Sequence, residues 1–408
     1  MDKKEKREKP LEGLRVVEMG SLLAGPFCGQ LLGDFGAEVI KVEPPGKGDP
    51  MRVWGRHRKE GRTLWWPVIA RNKKSVTLNL REREGQDLAR RLIEKADVLV
   101  ENFRPGTMER WGLGYEELCE ANPGLVMVRV SGYGQTGPYR DRAGFGAIGE
   151  AMGGIRHVSG FPELAPPRTG ISLGDSLAAT FGALGALTAL YNREKNGGRG
   201  QVVDVGIYEA VLALMESTIP EHVLTGHTRG RTGTVLPFVA PSNIYPTRGE
   251  GGEEDYVLIA GNADTVFGRL AEAVGHPEWA QDARYATHHA RGENMEELDG
   301  KISAWTGGRT TQEVLDLMAR AGVPSGKIFT AKDMTEDPHY AARENIVTVR
   351  DPEIGEVPMQ NVVPKLSETP GKVEHTGPAL GQHNPEVYGR LLGIKEREIE
   401  AMRGRGVI

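Results

Sequence analysis

The chain has 408 residues, with 51 Lys and Arg against 56 Asp and Glu and a formal net charge of −5 at pH 7. Such a balance lacks the concentrated positive field that nucleic acid or an acidic membrane surface would demand, and neither partner is indicated. Two cysteines, Cys28 and Cys119, supply neither a disulfide framework nor a CxxC metal pattern, and both read as reduced thiols of a cytoplasmic protein.

Met1–Pro10 carries the charged run KKEKREK without an apolar core and reads as a solvated tail, not a signal peptide. Leu14–Met19 reads as a buried strand, Gly25–Gly36 as a helix with Pro26 in its first turn, and Glu38–Glu43 as a second strand. Ser75–Leu80, Val98–Val100 and Leu125–Ser131 follow as strands, with an amphipathic helix over Gly85–Lys95. Strand–helix–strand alternation predicts an α/β fold with a parallel sheet covered on its faces. Gly132–Pro167 is rich in Gly and Pro, with a helical interval at Phe145–Gly154. Helices at Asp175–Arg193 and Val205–Met215 flank a short strand at Gln201–Asp204.

From about Gly226 the connectors turn Gly- and charge-rich. A strand at Tyr256–Ala260 and helices near Thr265–Val274, Met295–Thr306 and Thr311–Ala321 follow. The pattern predicts a large domain over 1–225, a smaller domain over 226–335, and a segment 336–408 that returns to the first. That segment has Pro-rich joints and a last helix near Asn384–Leu392. The longest apolar stretch, Ala178–Tyr191, is broken by Gly182 and Gly185 and is shorter than the ~18–20 residues of a membrane span.

Several motifs compete for the chemistry. Gly132-Tyr-Gly-Gln-Thr-Gly137 is a GxGxxG after a strand, but Pro138-Tyr-Arg-Asp-Arg follows where an apolar helix should begin, so a turn is the better reading. Gly170-Ile-Ser172-Leu-Gly174 has the GxSxG form of a nucleophile elbow, and late histidines that could complete a triad exist at His339, His375 and His383. Three prolines in Phe161–Thr169 deny it the upstream strand that an elbow needs. His222 and His227 are off the i, i+4 face and His288-His289 are adjacent, so no metal site is expected. Asp175 opens an apolar helix after Gly174. Locally it reads first as an N-cap, although Ala178 stands where a capping box would have Glu or Gln.

A resemblance changes that balance. Leu14–Arg52, Arg71–Leu80 (RNKKSVTLNL), Ala96–Leu118 (ADVLVENFRPGTMERWGLGYEEL), Ser131–Pro138, Gly174–Leu190 and Gly197–Leu214 resemble the class III CoA-transferase family, formyl-CoA transferase type. The resemblance continues through Gly261–Gly275 and Ala321–Ile328. It implies a Rossmann-like large domain built from both chain ends, a small domain between them, and two subunits interlocked as a homodimer. It also implies that Asp175 is the nucleophile. A carboxylate exchanging CoA between a thioester and an acid passes through a mixed anhydride and an aspartyl-CoA thioester, both still energetic enough to be reopened.

CoA or acyl-CoA is then a substrate, with no permanently bound cofactor. The resemblance implies CoA contacts at Leu23, Ala24, Leu78, Asn79, Leu80, Arg81, Asn102, Phe103, Arg104, Arg110 and Phe145. Basic groups suit the phosphates and aromatic or apolar faces the adenine. Leu23 replaces the Gln of formyl-CoA transferases, Pro44 replaces a basic residue, and their four-glycine loop is absent, all of which speaks against formyl or oxalate specificity. Related acyl-CoA racemases carry a proton-transferring His where this chain has Phe145, which cannot do that work. Pro237–Phe267 is most similar to members that move CoA from succinyl-CoA to small dicarboxylic acids. Arg52 and Arg168 are the candidates for a second substrate carboxylate. The alternatives are a racemase-like isomerase and a CoA-binding hydrolase using Ser172.

Overall fold

The computed structural model describes residues 9–249 and 251–408, so the charged run before Lys9 lies outside the described residues. Six short strands pair as one sheet: β1 (Arg15–Glu18), β2 (Glu38–Glu43), β3 (Lys73–Thr77), β4 (Val98–Glu101), β5 (Val126–Ser131) and β6 (Val202–Gly206). Every pairing is parallel. The spatial order is β3-β2-β1-β4-β5-β6. Strands buried on both faces need no alternation, which is why β4 and β5 read as near-continuous Val, Leu and Met.

The helices that pack on this sheet are α1 (Ala24–Asp34), α2 (Arg83–Ile93), α3 (Gly146–Met152), α4 (Leu173–Lys195) and α5 (Ile207–Leu212). One face is covered by α1 and α4, whose Ala24, Cys28, Ala179 and Ala186 share a core with Val16, Val98 and Val128. Leu88 and Leu92 of α2 cover the other face, together with residues of the chain's last segment.

Among the described residues, α4 is the one helix long and apolar enough to cross a membrane, with a mean hydropathy of 1.3. Glycine did not interrupt it, because Gly182 packs against the sheet, where an added Cβ would stand within 4 Å of Val128, Val130 and Cys28. Its Ala- and Gly-rich side is a core face.

The chain divides into two compact units. The first holds the chain up to Ile155, Arg168–Pro220 and His339–Ile408; the second holds Arg156–Pro167 and Glu221–Pro338. Arg156–Pro167, assigned by sequence to the large domain, therefore belongs with the second unit. There β7 (Ser242–Arg248), β8 (Glu254–Ala260) and β9 (Ser325–Lys327) form an antiparallel sheet. Its core joins Tyr245, Val257 and Ile259 to Phe267, Leu298, Ile302 and Met318 of α6 (Asp264–Ala273), α7 (Met295–Thr306) and α8 (Thr311–Ala321). The reading missed β7, which tolerates Pro246 because it is an edge strand.

In the first unit the chain closes with the hairpin β10 (Ile346–Asp351) and β11 (Gly355–Gln360), a π-helical turn at Pro385–Leu391, and α9 (Glu396–Gly404). The helix expected at Asn384–Leu392 is thus that π turn, and α9 lies beyond it. Only Ile399 and Met402 of the charged EREIEAMRG are buried, which left α9 without a visible apolar stripe.

Candidate active site

The strand order reverses between β1 and β4, and in such sheets ligands bind beyond the strand carboxyl ends at that reversal. The turn from β1 into α1, Gly20–Leu23, lies there. It is clamped by Asn102, just past β4: its Oδ1 accepts the Ser21 amide at 2.8 Å and its Nδ2 donates to the Ser21 carbonyl at 2.9 Å. A Cβ on Gly20 would stand 2.8 Å from that Oδ1, so only glycine permits the approach. Leu22 is held at φ 65°, with its amide donating to Asp49.

Beneath the turn lies a fully buried charge cluster. Lys41 bonds Glu18 at 2.8 Å, Asp49 at 2.9 Å and the Gly20 carbonyl at 2.8 Å, and Lys73 bonds Glu18 at 2.7 Å and the Pro26 carbonyl at 2.5 Å. Burial opposes charge on Lys41, but Glu18, Asp49 and Glu43 outweigh it and hold the ammonium above its ordinary value. Breaking such a cluster at one member leaves a buried unpaired charge, so it fixes the turn. Burial pushes the neighbouring Cys28 thiol up to about 12, which makes it inert.

Asp175 stands at the same edge of the sheet, because α4 runs back against the strands and delivers its C-terminus to the start of β6. The helix begins two residues earlier than the sequence suggested, with Ser172 at the N-cap position and Asp175 inside the first turn. Asp175 is therefore not the cap, and its carboxylate makes no hydrogen bond among the described residues. It lies against Gly146, the first residue of α3, where a Cβ would come within 2.4 Å of Oδ2. Behind it, Oε1 of the buried Glu150 accepts the Gly174 amide at 3.3 Å. Burial, and then the charge of Glu150, push the Asp175 carboxyl up to about 6 against the opposing pull of Arg168. A half-hidden carboxylate without hydrogen bonds, poised near neutrality, is suited to nucleophilic attack.

The other sequence-derived candidates divide by exposure. Ala24 and Leu78 are core side chains, so only their backbone is open to a ligand contact. Leu23, Leu80 and Phe103 are partly buried, and Phe103 packs edge-on against Trp111 at 5.1 Å. The Asn79 side chain accepts the Arg81 amide. Arg81, Arg104 and Arg110 are exposed, Arg110 bonding Thr107, and Phe145 is 65% exposed at the N-cap of α3.

Arg52 is committed elsewhere: it grips Glu43 through both carboxylate oxygens, at 2.6 and 2.7 Å, and stacks 3.7 Å over Trp66. Gly134 and Gly137 adopt positive φ and the Gln135 amide bonds Asp204, so the GxGxxG motif is a turn. Residues 161–172 form no strand, so Ser172 sits on no nucleophile elbow. Glu150 and Gly146 were missed, since nothing local marks a residue whose partner lies some 25–30 positions away.

Fold and site define an α/β protein with a half-buried, unbonded carboxylate at the carboxyl edge of a doubly wound sheet. The model of CoA-transferase family III matches residues 11–384; the chain belongs to that family and transfers CoA. It is 63% identical over 400 residues, 98% of each chain, to the succinyl-CoA–D-citramalate CoA-transferase of Chloroflexus aurantiacus. It is 44% identical over 401 residues, 98% of this chain and 92% of the other, to the alpha subunit of the succinyl-CoA–L-malate CoA-transferase from Chloroflexus aurantiacus. The crystal structure of a CAIB/BAIF family protein from Brucella suis superimposes with a TM-score of 0.83 at 33% identity, covering 94% of this chain and all of that one.

Proposed function

We propose that this enzyme moves CoA from succinyl-CoA to a small dicarboxylic acid of the citramalate or malate type, with Asp175 as the covalent nucleophile. The observation that carries the reading is the Asp175 carboxylate, unbonded, against the bare Cα of Gly146 and held near neutrality. The names of the two similar relatives supply the donor and acceptor classes.

One Asp175 oxygen attacks the thioester carbonyl and the C–S bond breaks, giving a succinyl-aspartyl anhydride and CoA thiolate. The thiolate attacks the aspartyl carbonyl, releases succinate and leaves an aspartyl-CoA thioester. The acceptor carboxylate displaces the thiolate from it, forming a second anhydride. Attack of the thiolate on the acceptor's acyl carbon then yields the new acyl-CoA and regenerates Asp175.

Arg168, whose charge already acts on Asp175, holds the acceptor's second carboxylate. The exposed guanidiniums of Arg81, Arg104 and Arg110 take the CoA phosphates, and the Gly20–Leu23 turn and Leu78–Leu80 present backbone to the cofactor arm. The enzyme works as a homodimer, a reading supported by the exposed apolar side chains Leu184, Leu187 and Tyr191 on α4 and Ile148 and Met152 on α3.

The test is mass spectrometry of the tryptic peptide Thr169–Arg193 after incubation with succinyl-CoA. A succinyl or CoA adduct on Asp175 supports the cycle. An acyl group on Ser172 replaces it with a hydrolase, and an unmodified peptide under turnover with citramalate or malate overturns covalent catalysis.

A further inference from the structure

A cavity of about 290 Å³ lies within the first unit, built by the chain's last segment and remote in sequence from Asp175. Its floor is Trp66, with the Arg52 guanidinium on the ring and the Trp66 Nε1 donating to the Pro378 carbonyl at 2.9 Å. One wall is the end of the β10–β11 hairpin. The other is the stretch His375–His383, tied to β3 by the His383 amide on the Ser75 carbonyl at 2.9 Å and the Gly381 amide on the Ser75 hydroxyl at 3.0 Å. This stretch also carries two of the late histidines that the transfer reaction does not use.

The cavity's acids are already satisfied. Asp351 accepts the Glu353 amide at 2.9 Å, the Ile354 amide at 3.1 Å and the Thr376 hydroxyl at 2.6 Å, while Glu353 pairs with Arg62. The donors are not. Arg350 has no ion pair among the described residues. The Gln382 Oε1 accepts the Ala379 amide at 2.9 Å, which leaves its NH₂ free. His383 Nδ1 accepts the Ser75 amide at 3.1 Å, so the proton of the neutral ring must sit on Nε2. Burial lowers the His383 pKa, keeping the ring in this neutral donor form near pH 7. A lining with occupied carboxylates and unoccupied donors selects an anion. The volume, at the lower end of the ~300–1,000 Å³ range of small-molecule pockets, exceeds the need of a single inorganic ion.

We propose that this cavity is a second ligand site, which binds a small polyanion through Arg350, His383 and Gln382. The ligand is a di- or tricarboxylate or a phosphorylated metabolite. It fastens the last segment against β3 and takes no part in the transfer at Asp175.

The test is calorimetric titration of the full-length enzyme, with its CoA site saturated by CoA, using tricarballylate and inorganic pyrophosphate as separate probes. At least one probe is expected to bind with a dissociation constant below about 10 mM. Arg350→Ala should weaken that binding by about tenfold and His383→Gln should weaken it further, while kcat for CoA transfer stays unchanged. Preference for tricarballylate identifies the carboxylate source and preference for pyrophosphate the phosphate source; either supports the site. Absence of binding by both probes overturns the proposal, as does binding that both variants leave intact. Arg350 is exposed, so its variant folds even if the half-buried His383 variant does not.

Discussion

Glu150 and Gly174 are joined between two helices, with Oε1 of the buried carboxylate 3.3 Å from the amide that precedes Asp175. A second negative charge is thereby anchored behind Asp175, the proposed nucleophile. Asp175 is driven up to about 6 by burial first and Glu150 second, with Arg168 opposing. The carboxylate is the reactive form, so transfer should fall as pH drops through about 6. Glu150→Gln should move this acid limb to lower pH and Arg168→Ala to higher pH. Single-turnover rates against pH measure both; limbs that coincide with the wild type would show that Asp175 does not set the profile.

The same raised value makes Asp175 a stability defect above its ordinary range. Folding favours the protonated acid, so the penalty is absent below the ordinary value of 3.8, develops between there and about 6, and is complete above that. Asp175→Asn should therefore abolish transfer and stabilise the fold by on the order of 1–3 kcal/mol at pH 8. At pH 4 the gain should vanish. Thermal denaturation of wild type and variant at the two pH values measures it, and an equal gain at both would mean that charge is not the cause.

The parallel sheet was legible because its central strands are buried on both faces and carry short apolar runs such as Val98–Val100 and Val126–Val128. The second unit's helices Met295–Thr306 and Thr311–Ala321 were legible from period and boundary residues. What the sequence hid was relational. Ser172 takes the N-cap position, without a side-chain capping bond, because α4 starts at Leu173, a boundary that a Gly-rich approach blurs. Asn102 could be flagged through its motif, but its bonds to Ser21 span 81 positions and exist only because β4 lies beside β1. Lys41 and Lys73 sit in strands where charges ordinarily argue against burial, and only the folded sheet brings Glu18 between them.

Gly146 is expected to be intolerant of the smallest side chain. Its φ is ordinary, so no backbone strain enters, but an added methyl would meet Asp175 Oδ2 at 2.4 Å and displace the carboxylate. Gly146→Ala should reduce kcat by about 100-fold, as misplacement of a reacting group by about 1 Å does, with little change in the acyl-CoA KM. Steady-state kinetics with succinyl-CoA decides it, and a variant within a factor of two of wild type would mean that the carboxylate reacts from another position.

Asn102→Ala should separate loop positioning from chemistry. The substitution removes both bonds that hold Ser21, leaving the Ser21 amide and carbonyl without their partner and Leu22 free to leave its φ of 65°. Loss of two half-buried hydrogen bonds costs about 1–3 kcal/mol, a small part of the stability of a chain this size, so the protein should still fold. The turn proposed to receive CoA should loosen, raising the acyl-CoA KM by about tenfold while the acid limb near 6 stays in place, because Asp175, Glu150 and Arg168 are untouched. Asn102→Asp tests the same geometry with charge added. It keeps the acceptor for the Ser21 amide but turns the donor to the Ser21 carbonyl into a repelling oxygen, and should be the more damaging of the two. If both variants bind acyl-CoA as tightly as the wild type, the turn is held by Lys41 on the Gly20 carbonyl and by Asp49 on the Leu22 amide alone.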